Sequence, residues 1–334
     1  MLNGHGDDLH LVKGQIKYNF SSNVYYKGCP TAILKALAKQ VEGIQNYPSP
    51  AAEELSECAS IRYQQPAENF LFTNGAIEAF YLIAQLFRGK RSTIVGPTFS
   101  EYEDACKMHN ISYTVVEKEK LDSFNTDLVF ICNPNNPTGS VFSFAELEYF
   151  ITENPTSTFV IDEAYIEFTK ATKSVLPLVE KHKNLIVVRS LTKTFTIPGL
   201  RLGYIISDAS MVEKLKAIRI PWSVNGLAIQ TGKYLFENYD QLIFDIESLL
   251  KERIFFQDQL RVIDHIEVQE TNTSYFLVKL LKGKASELKN VLISKGILIR
   301  DATNFTSLEG EFIRLSVQSP TANKQIIKAL TSWI

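Results

Sequence analysis

Leu185-Ile186-Val187-Val188-Arg189-Ser190-Leu191-Thr192-Lys193 opens with four consecutive branched apolar residues and closes on a hydroxyl and an amine. An unbroken apolar run suits a strand covered on both faces, as in a parallel sheet; a strand with one wet face would alternate. Three upstream runs have the same form. Thr93-Ile94-Val95 stops at Gly96-Pro97, Asp127-Leu128-Val129-Phe130-Ile131-Cys132 at Asn133-Pro134, and Thr158-Phe159-Val160-Ile161 at Asp162-Glu163. Between the runs, residues 77–87, 144–151 and 211–218 carry helical spacing. The alternation predicts an α/β domain with a mainly parallel mixed sheet flanked by helices. Further on, a long helical stretch from about 227 to 260 leads to short runs at 265–269, 274–280, 297–300 and 312–317. With a helix at Ala285–Ser294, these predict a smaller α+β domain. The first forty or so residues show no buried-strand pattern. The expected division is an N-terminal segment, 1–45, packing with the small domain, a large domain, 46–226, and the small domain, 227–334.

Composition narrows the function classes. The chain has 334 residues, 45% of them hydrophobic, enough for one large core or two linked ones. Its 35 Lys and Arg against 37 Asp and Glu give a formal charge of -2, which supplies no general pull toward nucleic acid or anionic membrane. No run approaches the ~18 apolar residues of a membrane helix, and residues 1–10 lack the apolar core of a secretory signal. Four scattered cysteines read as free thiols of a reducing cytoplasm, and five dispersed histidines argue against a metal site. A nucleotide-binding oxidoreductase is excluded by the lack of a Gly-x-Gly-x-x-Gly turn after a first strand.

Polar residues gather just past the strand ends, where open α/β sheets bind ligands. Lys193 closely follows a buried strand, and a desolvated lysine near other cations becomes a nucleophilic amine. Ser190 and Arg201 supply a hydroxyl and a planar cation, a pair suited to a phosphate dianion. Asp162, directly after an apolar strand, is a carboxylate that needs a cation if buried, and Tyr165 lies close by. In Asn133-Pro134-Asn135-Asn136-Pro137-Thr138-Gly139, two prolines fix the backbone that presents the Asn136 amide. In Thr73-Asn74-Gly75-Ala76, a glycine opens a helix whose free amides suit an anion.

Taken together and in this order, these segments resemble the fold-type I pyridoxal-phosphate enzymes of the class I/II aminotransferase superfamily, over essentially the whole chain. The resemblance implies pyridoxal 5′-phosphate as cofactor, with Lys193 as its Schiff-base lysine. It implies that Asp162 pairs with the pyridine nitrogen and that Tyr165 and Asn136 bond the ring's phenolic oxygen. Ser190, Arg201 and the amides at Gly75 and Ala76 would hold the phosphate, and Phe99 would cover the ring. It also implies a homodimer in which Tyr47 reaches the neighbouring subunit's phosphate, and Arg314 as the grip on the substrate α-carboxylate.

Two branches share these residues, the threonine-phosphate decarboxylases of cobalamin side-chain synthesis and the histidinol-phosphate aminotransferases, which use 2-oxoglutarate and glutamate. Gly4-His5-Gly6 and Ile220-Pro221-Trp222-Ser223-Val224-Asn225 resemble the decarboxylase, with His5 and Trp222 as substrate residues. Asp7 and Asp8 depart from its pattern. Arg300 occurs in both branches and is the candidate for the substrate phosphate. The expectation is an enzyme acting on a small phosphorylated amino acid or amine, decarboxylation preferred over transamination.

Overall fold

The computed structural model describes residues 8–12, 14–121 and 124–333. A short strand, β1 (Tyr18–Asn19), precedes seven others: β2 (Phe70–Thr73), β3 (Arg91–Gly96), β4 (Ser112–Glu117), β5 (Leu128–Cys132), β6 (Thr158–Asp162), β7 (Leu185–Ser190) and β8 (Gly203–Ser207). These seven make one sheet in the order β2-β8-β7-β6-β5-β3-β4. The pairs from β7 across to β4 are parallel, and β8 alone runs against its neighbours β2 and β7. The expected mainly parallel mixed sheet is thus present, with one strand reversed.

Helices cover both faces, so every residue of β5, β7 and β8 is buried. Val129, Ile131, Phe159, Ile161 and Val187 enter the core on one face, and Leu128, Phe130, Val160, Ile186 and Val188 the core on the other. The two sets alternate residue by residue, as the pleat requires. Helix starts follow local chemistry: Ser143 and Glu146 form a reciprocal capping box at the head of Phe144–Glu153.

A second sheet, β12-β13-β10-β9, is antiparallel and built from β9 (Ile266–Val268), β10 (Tyr275–Leu280), β12 (Arg300–Asp301) and β13 (Phe312–Ser316). Strand β11 (Ile297–Leu298) leaves that sheet and pairs in parallel with β1. The run at 297–300, which reads as one strand, is therefore split between two sheets. The β1 pairing carries Phe20 into the core under the second sheet, beside Phe256, Ile313 and Leu315. Ile33, in the helix Thr31–Lys39, instead joins the large-sheet core.

The stretch 227–260 is not one helix. It is three: Gly226–Glu237, Tyr239–Leu242 and Ile246–Leu260. Asn238 closes the first by bonding the Tyr234 carbonyl, and Asp245 opens the third by accepting the amides of Glu247 and Ser248. Apolar spacing persists across both breaks, because the first helix packs on the large-sheet core and the third on the small one.

Candidate active site

Strands β5, β6 and β7 are parallel neighbours, so Cys132, Asp162 and Ser190 come out along one edge of the sheet. A cavity opens there. Among the residues singled out from sequence, Asp162, Tyr165, Ser190 and Lys193 line it from the strand ends, and Ala76, Phe99, Asn136, Arg201 and Arg314 from the surrounding segments. Ser21, Ser22, Asn23, Cys132 and Thr192 line it too, and these the sequence did not signal. The N-terminal segment has no periodicity to betray it, and its place depends on the β1–β11 pairing.

Asp162 is buried, and each carboxylate oxygen has a donor. The Ala164 amide donates to Oδ1 at 2.9 Å and the Tyr102 hydroxyl to Oδ2 at 2.5 Å. Burial nevertheless pushes its pKa up to about 6, against those hydrogen bonds. A buried carboxyl held this way is completed by a cation.

Next to Arg201, which lines the cavity, Gly75 has a φ of +79°, and a Cβ built on it would land on Arg201 Nη2. Gly203, at the start of β8, would likewise press a Cβ against the Ala76 nitrogen at 2.5 Å. Two glycines thus allow the helix head Gly75–Leu86 and the Arg201 guanidinium to share a small space. Amides and a guanidinium meeting at a helix N-terminus form a cradle for a phosphate. Thr192 Oγ1, also on the cavity wall, is buried with no hydrogen-bond partner among the described residues. A buried carboxylate, an anion cradle, a lysine and an aromatic ring on one cavity: the donor set fits pyridoxal 5′-phosphate.

Arg314 is 4% exposed, yet its hydrogen bonds go to neutral oxygens: Asn136 Oδ1, and the Ser21 carbonyl at 2.5 Å. Burial pulls its pKa down to about 10, and the charge on Arg300 adds to this. The two arginines sit directly opposite each other in the antiparallel β12–β13 pair. Arg300, also buried, donates to Asn304 Oδ1 at 2.7 Å and lies over the Phe305 ring. Two adjacent buried guanidiniums make strongly anion-attracting ground. Tyr165 packs edge-on against Tyr275, and burial raises its phenol to about 12, opposed first by the Arg314 charge.

Arg300 is not on the cavity wall itself, and Tyr47 and Trp222 lie elsewhere in this chain. Tyr47 is 90% exposed, its ring 5.8 Å from that of Trp222, which donates from its indole N–H to the Pro48 carbonyl. Both border a separate surface groove. His5 and Asp7 fall outside the described residues, as does the side chain of Asp8. Among the described residues, no helix is long and apolar enough to cross a membrane, and no His, Cys, Asp and Glu cluster suits a metal.

The family model described as "Aminotransferase class I and II" matches residues 15–330. A "Putative threonine-phosphate decarboxylase" of Caldanaerobacter subterraneus subsp. tengcongensis is 35% identical over 325 residues, covering 92% of this chain and 88% of the relative. A histidinol-phosphate aminotransferase of Methanococcoides burtonii is 31% identical over 318 residues, covering 90% and 86%. Among solved structures, the L-threonine-O-3-phosphate decarboxylase of Porphyromonas gingivalis superposes with a TM-score of 0.92 at 35% identity, covering 95% of this chain and 99% of that one.

Proposed function

The chain belongs to the class I and II aminotransferase family, enzymes of pyridoxal 5′-phosphate, and on that premise we propose that it decarboxylates L-threonine O-3-phosphate. The observation that carries the reading is the pair of facing buried guanidiniums, Arg300 and Arg314, matched to a substrate with two anionic ends. The 35% identity to decarboxylases of that substrate supports the choice within the family.

When bound, the cofactor supplies an electron sink for the pair left behind as a bond to Cα breaks. The chain's own residues do the rest. Arg201, Ser190, Ala76 and the Gly75 amide hold the phosphate. Asp162 keeps a proton on the ring nitrogen, Asn136 and Tyr165 bond the phenolic oxygen, and Phe99 covers the ring and keeps water off it. Lys193 Nζ carries the cofactor and then moves the proton at Cα. Arg314 would grip the carboxylate and Arg300 the substrate phosphate, and together they would orient the Cα–carboxylate bond for cleavage; carbon dioxide would leave and a proton from Lys193 Nζ would take its place on Cα. Tyr47 reaches the phosphate of a partner subunit in a homodimer, with Trp222 beside it.

Transamination of histidinol phosphate is the second reading, favoured by the 31% identity to such an aminotransferase. Products separate the two. Carbon dioxide released from L-threonine phosphate is the expected result; brisk exchange between histidinol phosphate and 2-oxoglutarate without it would replace this reading by the second. Arg300→Ala should weaken phosphorylated substrates by ~2–5 kcal/mol, the penalty for breaking a buried charge pair, and leave others nearly unchanged. Arg314→Ala should damage amino acids far more than histidinol phosphate, which has no carboxylate. Steady-state kinetics on both substrates read that contrast.

A further inference from the structure

Tyr102 does not line the cavity, yet its hydroxyl holds the carboxylate that does. The residue sits in the short helix Glu101–Met108 and is fully buried. Its ring stacks on Phe130 at 5.1 Å with 8° between planes, and meets Phe80 and Phe99 edge-on at 4.9 and 5.8 Å. Aromatic packing on three sides fixes the ring, and the hydroxyl reaches Asp162 Oδ2 at 2.5 Å. Resting on the cofactor-site reading above, we propose that Tyr102 is a positioning residue: it fixes the plane of the Asp162 carboxylate and holds it as the anion that a protonated ring nitrogen pairs with.

The surroundings of Asp162 leave this task to few groups. From β5 comes the Cys132 thiol, 3.9 Å away and also bonded to the Pro134 carbonyl at 3.3 Å. From β7 comes Val188, which is apolar. Just past its own strand, Glu163 is turned to Arg189 at 2.8 Å, and the Ala164 amide donates to Oδ1. Tyr165 and Lys193 face the same cavity. Burial favours the neutral acid, and the Tyr102 hydrogen bond is the largest opposing influence. The phenol itself is pushed well above its ordinary pKa by burial and by the Asp162 charge. It therefore stays a donor, and Asp162 stays the acceptor. The contact also ties Asp162 to Phe99, since Tyr102 touches both.

The test uses Tyr102→Phe, which keeps the ring and its stacking, and measures cofactor affinity of the apoenzyme across pH by fluorescence quenching. Binding of the protonated ring weakens as Asp162 takes up a proton. Loss of one charge-assisted hydrogen bond should move that acid limb up by about one pH unit, roughly tenfold in Kd along the limb, with the curves converging at alkaline pH. Titrations of Lys193 and the phosphate are common to both proteins and cancel in the comparison. Replacing Tyr102 by 3-fluorotyrosine, a stronger donor of nearly the same shape, should move the limb the other way. This second protein decides the matter if the Phe variant folds poorly. Identical limbs in every folded protein overturn the proposal, with the cofactor reading intact if borohydride still fixes the cofactor on Lys193. No fixation on Lys193 would overturn both.

Discussion

Lys193 is half-buried in the cavity with Asp162, Tyr165 and Arg201 around it, and its removal is the most direct test of the site. Lys193→Ala should still bind cofactor, because the phosphate cradle at Gly75, Ala76 and Arg201 survives, but it should lose turnover and the borohydride-fixed label. Absorbance and peptide mapping read both. Asp162 carries a prediction about pH. Its folded pKa, about 6, lies above the ordinary carboxyl value of 3.8, so the folded apoenzyme holds this proton longer than the unfolded chain does. Stability is therefore undiminished below the lower value and falls as pH rises through that window, by ~2–3 kcal/mol in total. Asp162→Asn should make the apoenzyme more stable by a similar amount above pH about 6 and leave it little changed near pH about 4. Urea unfolding at the two pH values checks the sign, and the same variant should bind cofactor more weakly. Burial of an acid without its cation is a strain that the ligand relieves.

At the scale of elements, one buried cluster joins the segments that carry the site. Arg189, at the end of β7, bonds Glu163 just after β6 and Glu167 in the turn Ile166–Phe168, each at 2.8 Å. Ser174 accepts from the same guanidinium, and Tyr239, from the helix Tyr239–Leu242, donates to Glu167. Arg189→Met would leave the buried Glu163 carboxylate, and the half-buried Glu167, without their cation and should cost about 3–5 kcal/mol, read as a lower denaturant midpoint. Adding Glu163→Gln should recover part of the loss. Strands β5, β6 and β7 were legible because a strand buried on both faces cannot alternate, and Asp162, Ser190 and Lys193 were legible as the first polar residues beyond them. Tyr102 was not, since nothing in a short amphipathic helix says which aromatic turns toward a distant strand end. The helical stretch expected at 227–260 is helical but in three pieces: the spacing was real, while Asn238 and Asp245 are stop and start signals that spacing ignores.

For the molecule as a whole, the groove at Tyr47 leaves apolar side chains in solvent, with Ile44 and Trp222 both exposed along it. Such patches mark partner surfaces, and twofold pairing is the commonest arrangement. Light scattering should find a homodimer, and Tyr47→Phe should weaken cofactor binding although Tyr47 lies outside the cavity of its own chain. A fully active monomer would contradict this. The ends of the sequence were the least legible part, because the segment carrying Ser21, Ser22 and Asn23 is held at the cavity by contacts with residues between 297 and 316, far away in sequence. That arrangement has a consequence during synthesis. Tyr18 pairs with Ile297, and Arg314 is steadied by the carbonyl of Ser21. At ~5–20 residues per second, the early segment waits on the order of a quarter of a minute to a minute for its partners to leave the ribosome. A nascent chain that has just completed β8 thus carries Asp162, Lys193 and Arg201 but lacks Arg314 on the same cavity wall, so the site cannot be complete until translation is nearly finished.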